Sequence, residues 1–96
     1  MKFEWDENKR LINLRKHGFD FADVWQVFEG DRVIFIDDRF DYDELRLVTI
    51  GFLSDIIVTV TYTENDEITR IISLRKATKN ERTKYIKGIA NRLGEN

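Results

Sequence analysis

The sequence contains no cysteine, no proline and a single histidine among its 96 residues. Without cysteine, neither a disulfide nor a thiolate zinc site can staple the fold, which fits a reducing compartment; a cytoplasmic location is the expectation. One histidine, His17, leaves no two-histidine acid–base pair and no metal site built on imidazole or thiolate. The lack of proline removes one kind of element break, so glycines 18, 30, 51, 88 and 94 carry much of the punctuation. The opening stretch Met1-Lys2-Phe3-Glu4-Trp5-Asp6 has no apolar run behind a basic cluster, which argues against a secretory signal. No apolar run approaches the roughly 20 residues that span a bilayer, so no membrane partner is expected. The phosphate loop GxxxxGK[ST], the dinucleotide GxGxxG, the zinc HExxH and the nucleophile elbow GxSxG are all missing, and no cofactor or metal is expected.

What is present is a folded, soluble composition: 42% apolar and 35% charged residues. The length suits one domain over residues 1–96. A domain of this size buries only about 60–65% of its unfolded surface, so an open groove is a more natural active site than a deep cavity under a lid. Net charge is only −2, but it is unevenly placed. Residues 1–67 hold eight Lys/Arg against sixteen Asp/Glu; residues 68–96 hold eight against two. The last third can meet a polyanion, or it can pair with the acidic remainder inside the fold.

The pattern predicts an α+β domain: an antiparallel sheet meander with two N-terminal helices and one C-terminal helix. A short strand at Phe3–Trp5 precedes a helix capped by Asp6, with Leu11 and Leu14 facing inward and Gly18 as its left-handed stop. Asp20 can cap a second helix, Phe21–Phe28, whose Phe21, Val24, Trp25 and Phe28 share a face. Trp5 and Trp25 read as core. Strands follow at Arg32–Asp37, Leu45–Leu53, Ile56–Thr63 and Ile68–Lys76, joined by short turns and by the acidic loop Asp38–Glu44. Asp37, Asp38, Asp41, Asp43 and Glu44 lack EF-hand spacing and read as a solvated loop, not a cation site. Thr78-Lys79-Asn80-Glu81 has the form of a capping box opening a third helix, with Ile86, Ile89, Ala90 and Leu93 as its buried stripe.

The segment from Arg70 to Thr78 concentrates the candidate chemistry. Strand alternation puts Arg70 on the face of Ile68, Ile72 and Leu74, and Arg75 on the face of Ile71 and Ser73. Arg70 can act on substrate or form a structural ion pair with an acid such as Glu44. Arg75 and Lys76, with Lys79, Arg82 and Lys84, gather beside a helix N-terminus and suit a phosphate backbone. Tyr85 can stack on a base or donate a proton, or simply pack on the sheet. His17 can serve as an acid or base, or as a helix C-terminal histidine favoured by the dipole.

Four blocks of this chain, in order and at matching spacing, resemble the BrnT toxin family. They are Phe3-Glu4-Trp5-Asp6-Glu7-Asn8-Lys9; Asn13-Leu14-Arg15-Lys16-His17-Gly18-Phe19-Asp20-Phe21; Arg39-Phe40-Asp41-Tyr42-Asp43-Glu44-Leu45-Arg46 with Ile50-Gly51; and Arg70-Ile71-Ile72-Ser73-Leu74-Arg75-Lys76-Ala77-Thr78 with Glu81-Arg82 and Tyr85. The chain departs from the family pattern at Leu74, usually a small residue, and at Asp43, usually glycine. The resemblance implies a RelE-like fold, a ribonuclease that arrests translation, and a BrnA-like antitoxin that links the toxin to operator DNA. It implies metal-independent cleavage by attack of the ribose 2′-OH on the adjacent phosphate. Arg70 or Arg75 would stabilise the developing charge; Lys76, Lys79, Arg82 and Lys84 would position RNA; and His17, Tyr85 or Glu81 would handle the proton. The rival readings are a non-catalytic module that docks a partner protein, and a DNA-binding regulator. The latter lacks a basic recognition helix.

Overall fold

A computed structural model describes residues 1–38 and 44–94 of the chain. Residues 39–43, which include most of the expected acidic loop and the Asp43 departure, lie outside the described residues. The elements run β1 (Lys2–Trp5), α1 (Glu7–His17), a 3₁₀ turn (Phe21–Asp23), α2 (Trp25–Glu29), β2 (Arg32–Ile36), β3 (Leu47–Leu53), β4 (Ile56–Asn65), β5 (Ile68–Lys76) and α3 (Lys79–Gly94). The five strands form one sheet in the order β1-β5-β4-β3-β2. Strands β2 to β5 pair antiparallel in succession, but β1 lies parallel to β5, so the sheet is mixed and not antiparallel throughout.

The β-branched runs alternate across this sheet and build a core on each face. On one face, Phe21, Val24 and Val27 pack against Leu53, Val58, Val60, Tyr62, Ile71 and Leu74. On the other, α3 brings Tyr85 and Ile89 onto Val33, Ile50, Ile57 and Ala77. Leu74, at one of the positions that depart from the family pattern, is fully buried in the first core. Two hairpins are closed by two-residue turns whose first residues, Ser54 and Asp66, take the left-handed conformation at φ 56° and 55°.

The caps form as their residue types dictate. Asp6 accepts from the Lys9 N–H at 3.1 Å, and Gly18 ends α1 at φ 78°. The Thr78 hydroxyl accepts from the Glu81 N–H at 3.2 Å, while Glu81 accepts from the Thr78 N–H at 2.8 Å.

Three helical faces differ from the sequence expectation. In α1 the buried residue is Asn13, while Leu11 and Leu14 are exposed. The expected helix Phe21–Phe28 is interrupted. Asp20 accepts from the Ala22 N–H at 2.9 Å and starts a tight 3₁₀ turn, so Phe21, Val24 and Val27 face inward at a period of three. That rotation turns Trp25 out to solvent and leaves Trp5 half-buried. In α3 the buried side is Tyr85, Gly88 and Ile89, with Ile86, Ala90 and Leu93 exposed. A methyl group at Gly88 would come within 2.4 Å of Val33 Cγ1, so helix and sheet approach closely at this glycine.

Candidate active site

One irregularity arranges the site. Thr61 pairs with Ser73 and Tyr62 with Ile71, so Ile72 is an extra residue on β5. A bulge of this kind resets the alternation of side chains. Ile71 and Leu74, three residues apart, both enter the first core. Arg70 and Arg75, opposite Thr63 and Thr59 respectively, come to the α3 face together. Strict alternation would have put them on opposite faces.

On that face α3 leaves part of the sheet open. A cleft of about 210 Å³ lies there, bordered by Phe35, Val48 and Thr61 from the strands, by Arg75, and by Glu81 and Lys84 of α3. Asp37 and Asp38 also line it, and the capping box adds a third carboxylate. The same Glu81 carboxylate that caps α3 takes a two-pronged bond from Arg75, Nη1 at 2.7 Å and Nη2 at 2.9 Å, and a third from Thr59 Oγ1 at 3.0 Å. Burial raises the Glu81 pKa, but the Arg75 guanidinium, the Thr78 N–H and the Thr59 hydroxyl outweigh it and hold the carboxyl at about 2. Arg75 also reaches the Lys76 carbonyl at 3.4 Å. A guanidinium has five N–H donors. Three of those on Arg75 are engaged, which leaves two without a partner among the described residues. Lys84 stands over the Phe35 ring, 5.3 Å from its centroid.

The remaining expected residues are distributed differently. Arg70 forms a surface pair with Glu4 of the neighbouring β1 at 3.2 Å, not with Glu44; both side chains are about half exposed. Lys76 opposes Val58, so it lies on the face opposite Arg75. Lys79 is exposed at the start of α3, and Arg82 turns back to the Ala77 carbonyl at 2.9 Å. Neither borders the cleft. Tyr85 is buried; its ring meets Phe52 edge-on and its hydroxyl donates to the Asp31 carbonyl at 3.1 Å. His17 ends α1 at a second groove beside Ser73. Burial, then the positive charges of Lys16 and Arg75, push the imidazole below its ordinary pKa.

Sequence reasoning missed Asn13 as a positioning residue. Beyond Trp5, the edge of β5 has no strand beside it among the described residues. Asn13 takes that place: its Nδ2 donates to the Leu74 carbonyl at 2.7 Å, and its Oδ1 accepts from the Leu74 N–H at 3.1 Å. One amide thus bonds the backbone as a strand would and fixes α1, hence His17, beside β5. The only sequence signal was an amide on the apolar side of a helix. Thr59, which bonds the same carboxylate as Arg75, was given no role in the sequence reading.

The fold and site together define a small α+β protein with an oriented guanidinium and a lysine at an open sheet face, and a histidine at a second groove. The family model described as "Ribonuclease toxin, BrnT, of type II toxin-antitoxin system" matches residues 5–81, and the chain belongs to that family. Membership makes it a ribonuclease toxin and implies a protein antitoxin as partner. The match takes in β5 and the capping box and ends at Glu81, so most of α3 lies beyond it. No curated protein matches the chain closely enough to add a relative. Among the described residues no three His, Asp or Glu side chains converge as metal ligands, and no helix is long and apolar enough to cross a membrane.

Proposed function

We propose that the protein cleaves RNA between Arg75 and His17, by a RelE-like route that needs no metal. The ribose 2′-OH loses its proton to His17 and attacks the adjacent phosphorus. The P–O5′ bond breaks, giving a 2′,3′-cyclic phosphate, and the departing 5′-oxygen takes a proton from imidazolium or water. Charge gathers on the non-bridging oxygens, where the two remaining donors of Arg75 would stabilise it. Because Glu81 already fixes the guanidinium, little reorganisation accompanies the reaction.

The Arg75–Glu81–Thr59 assembly, whose guanidinium charge helps lower the His17 pKa, carries this reading. The other proton carriers are less suited. Glu81, held at about 2, is a weak base near neutrality, and the Tyr85 hydroxyl is occupied at Asp31. Lowering of the His17 pKa favours the neutral imidazole, the form that accepts a proton. Lys84 would hold a neighbouring phosphate, with Lys76, Lys79 and Arg82 supplying a more distant field. Arg70, paired with Glu4, would contribute less than Arg75.

In the cell such cleavage would arrest translation until a BrnA-like antitoxin covers the cleft and links the complex to operator DNA. End-group analysis of cleaved RNA tests the chemistry: cyclic phosphate and 5′-hydroxyl ends are expected, and 5′-phosphate ends would overturn the route. Arg75→Ala and His17→Gln should each lower cleavage at least a hundredfold while remaining folded; full activity in either folded variant removes that residue from the mechanism.

A further inference from the structure

The second groove, of about 200 Å³, lies between α1 and the bulged part of β5. Lys9, Asn13 and Lys16 recur at i, i+4 and i+7, one helical face, and line it together with His17, Ile72 and Ser73. Asn13, clamped to Leu74, holds that face against the strand. Two acids beside this face are engaged by Arg10, which bonds both Glu7 and Asp20, and Asp6 accepts from the Lys9 N–H as the cap of α1. Among the described residues, no carboxylate lines this groove. Ser73 borders it and opposes Thr61, which borders the first cleft; Arg75, two residues on and on the same face, borders that cleft as well.

We infer that the groove between α1 and β5 is a second backbone subsite for single-stranded RNA, in which Lys9 and Lys16 bind phosphates flanking the one cleaved at Arg75. The subsite rests on the nuclease reading for its ligand, and its geometry gives the strand a path. RNA enters the α3 cleft past Lys84, crosses β4 at Thr61 and β5 at Ser73, and leaves along α1. Ile72, the inserted residue, offers an apolar side chain to a ribose or base beside the two ammonium groups.

Binding of a non-cleavable, fully 2′-O-methylated octanucleotide tests this separately from catalysis. Lys9→Ala/Lys16→Ala should weaken the octanucleotide about tenfold at low salt. It should also reduce the slope of log K against log salt by about 1.4, as expected for two lost phosphate contacts on a single strand. A methylated dinucleotide, too short to reach α1 from Arg75, should lose much less. Lys87→Ala, an exposed charge removed from α3, serves as the comparison. Unchanged octanucleotide affinity in the double variant, equal losses for dinucleotide and octanucleotide, or a Lys87→Ala loss as large as either single lysine's, would each overturn the subsite. If the wild-type protein fails to bind the octanucleotide, the subsite falls too. If it binds with the expected lysine dependence but leaves unmodified RNA intact, the nuclease reading fails and the subsite stands.

Discussion

Glu81 serves two elements at once, which gives its ionisation a thermodynamic consequence. Its carboxyl titrates at about 2 in the folded protein, against an ordinary value of 4.5. A folded pKa below the unfolded one adds stability that is fully present above pH 4.5 and is lost as pH falls toward 2. The upper bound is on the order of 3 kcal/mol. Denaturant unfolding between pH 6 and 2 should show this loss in the wild type, and Glu81→Gln should be less stable near neutrality but flatter across the acid range. A parallel decline in both proteins would mean that other carboxylates dominate. Tyr85 offers a contrasting case. Tyr85→Phe, which removes only the bond to Asp31, should cost about 1 kcal/mol of stability and leave cleavage nearly intact. Loss of cleavage in Tyr85→Phe comparable to that in Tyr85→Ala would instead implicate the hydroxyl. Residue identities made the capping box legible in the sequence, because its two bonds are local. The ion pairs were not legible. The partner of Arg70, Glu4, sits 66 positions away, and only the parallel placement of β1 brings it near.

At the scale of elements, strand and helix boundaries could be read closely, while the faces of the helices could not. Local composition decides where a helix starts; tertiary packing decides which side is buried. The 3₁₀ turn at Phe21 and the close approach at Gly88 each rotate a helix by an amount that apolar spacing does not record. Gly88→Ala should cost about 1–3 kcal/mol by forcing Val33 and α3 apart, measurable as a lower denaturation midpoint. The bulge was invisible for a related reason: one extra residue in a β-rich run leaves no compositional trace. Deleting Ile72 should remove the bulge and leave Arg70 and Arg75 four positions apart, on one face by regular alternation. The expected product is a folded sheet that keeps Arg75 on Glu81 and cleaves within about tenfold of the wild type; a hundredfold loss in a folded deletion variant would show that the bulge itself, and not only the shared face, is needed.

Taken as a whole, the molecule does not gather every cation of its basic C-terminal third on one surface. Arg75 and Lys84 border the cleft, Lys76 points to the other face, and Arg70 and Arg82 are bonded internally. Charge counting along the chain therefore did not show how few of these cations border the cleft, nor that Lys9 and Lys16 of the acidic N-terminal part line the second groove. The clamp at Asn13 has one more effect. In most of a sheet, an amide proton is shielded by a neighbouring strand and exchanges with solvent only when strands separate. The Leu74 amide is shielded by a helix side chain instead. Deuterium uptake at this one position would thus report detachment of α1 alone, a smaller event than unzipping of the sheet, and Asn13→Ala should accelerate it selectively over the amides of β4.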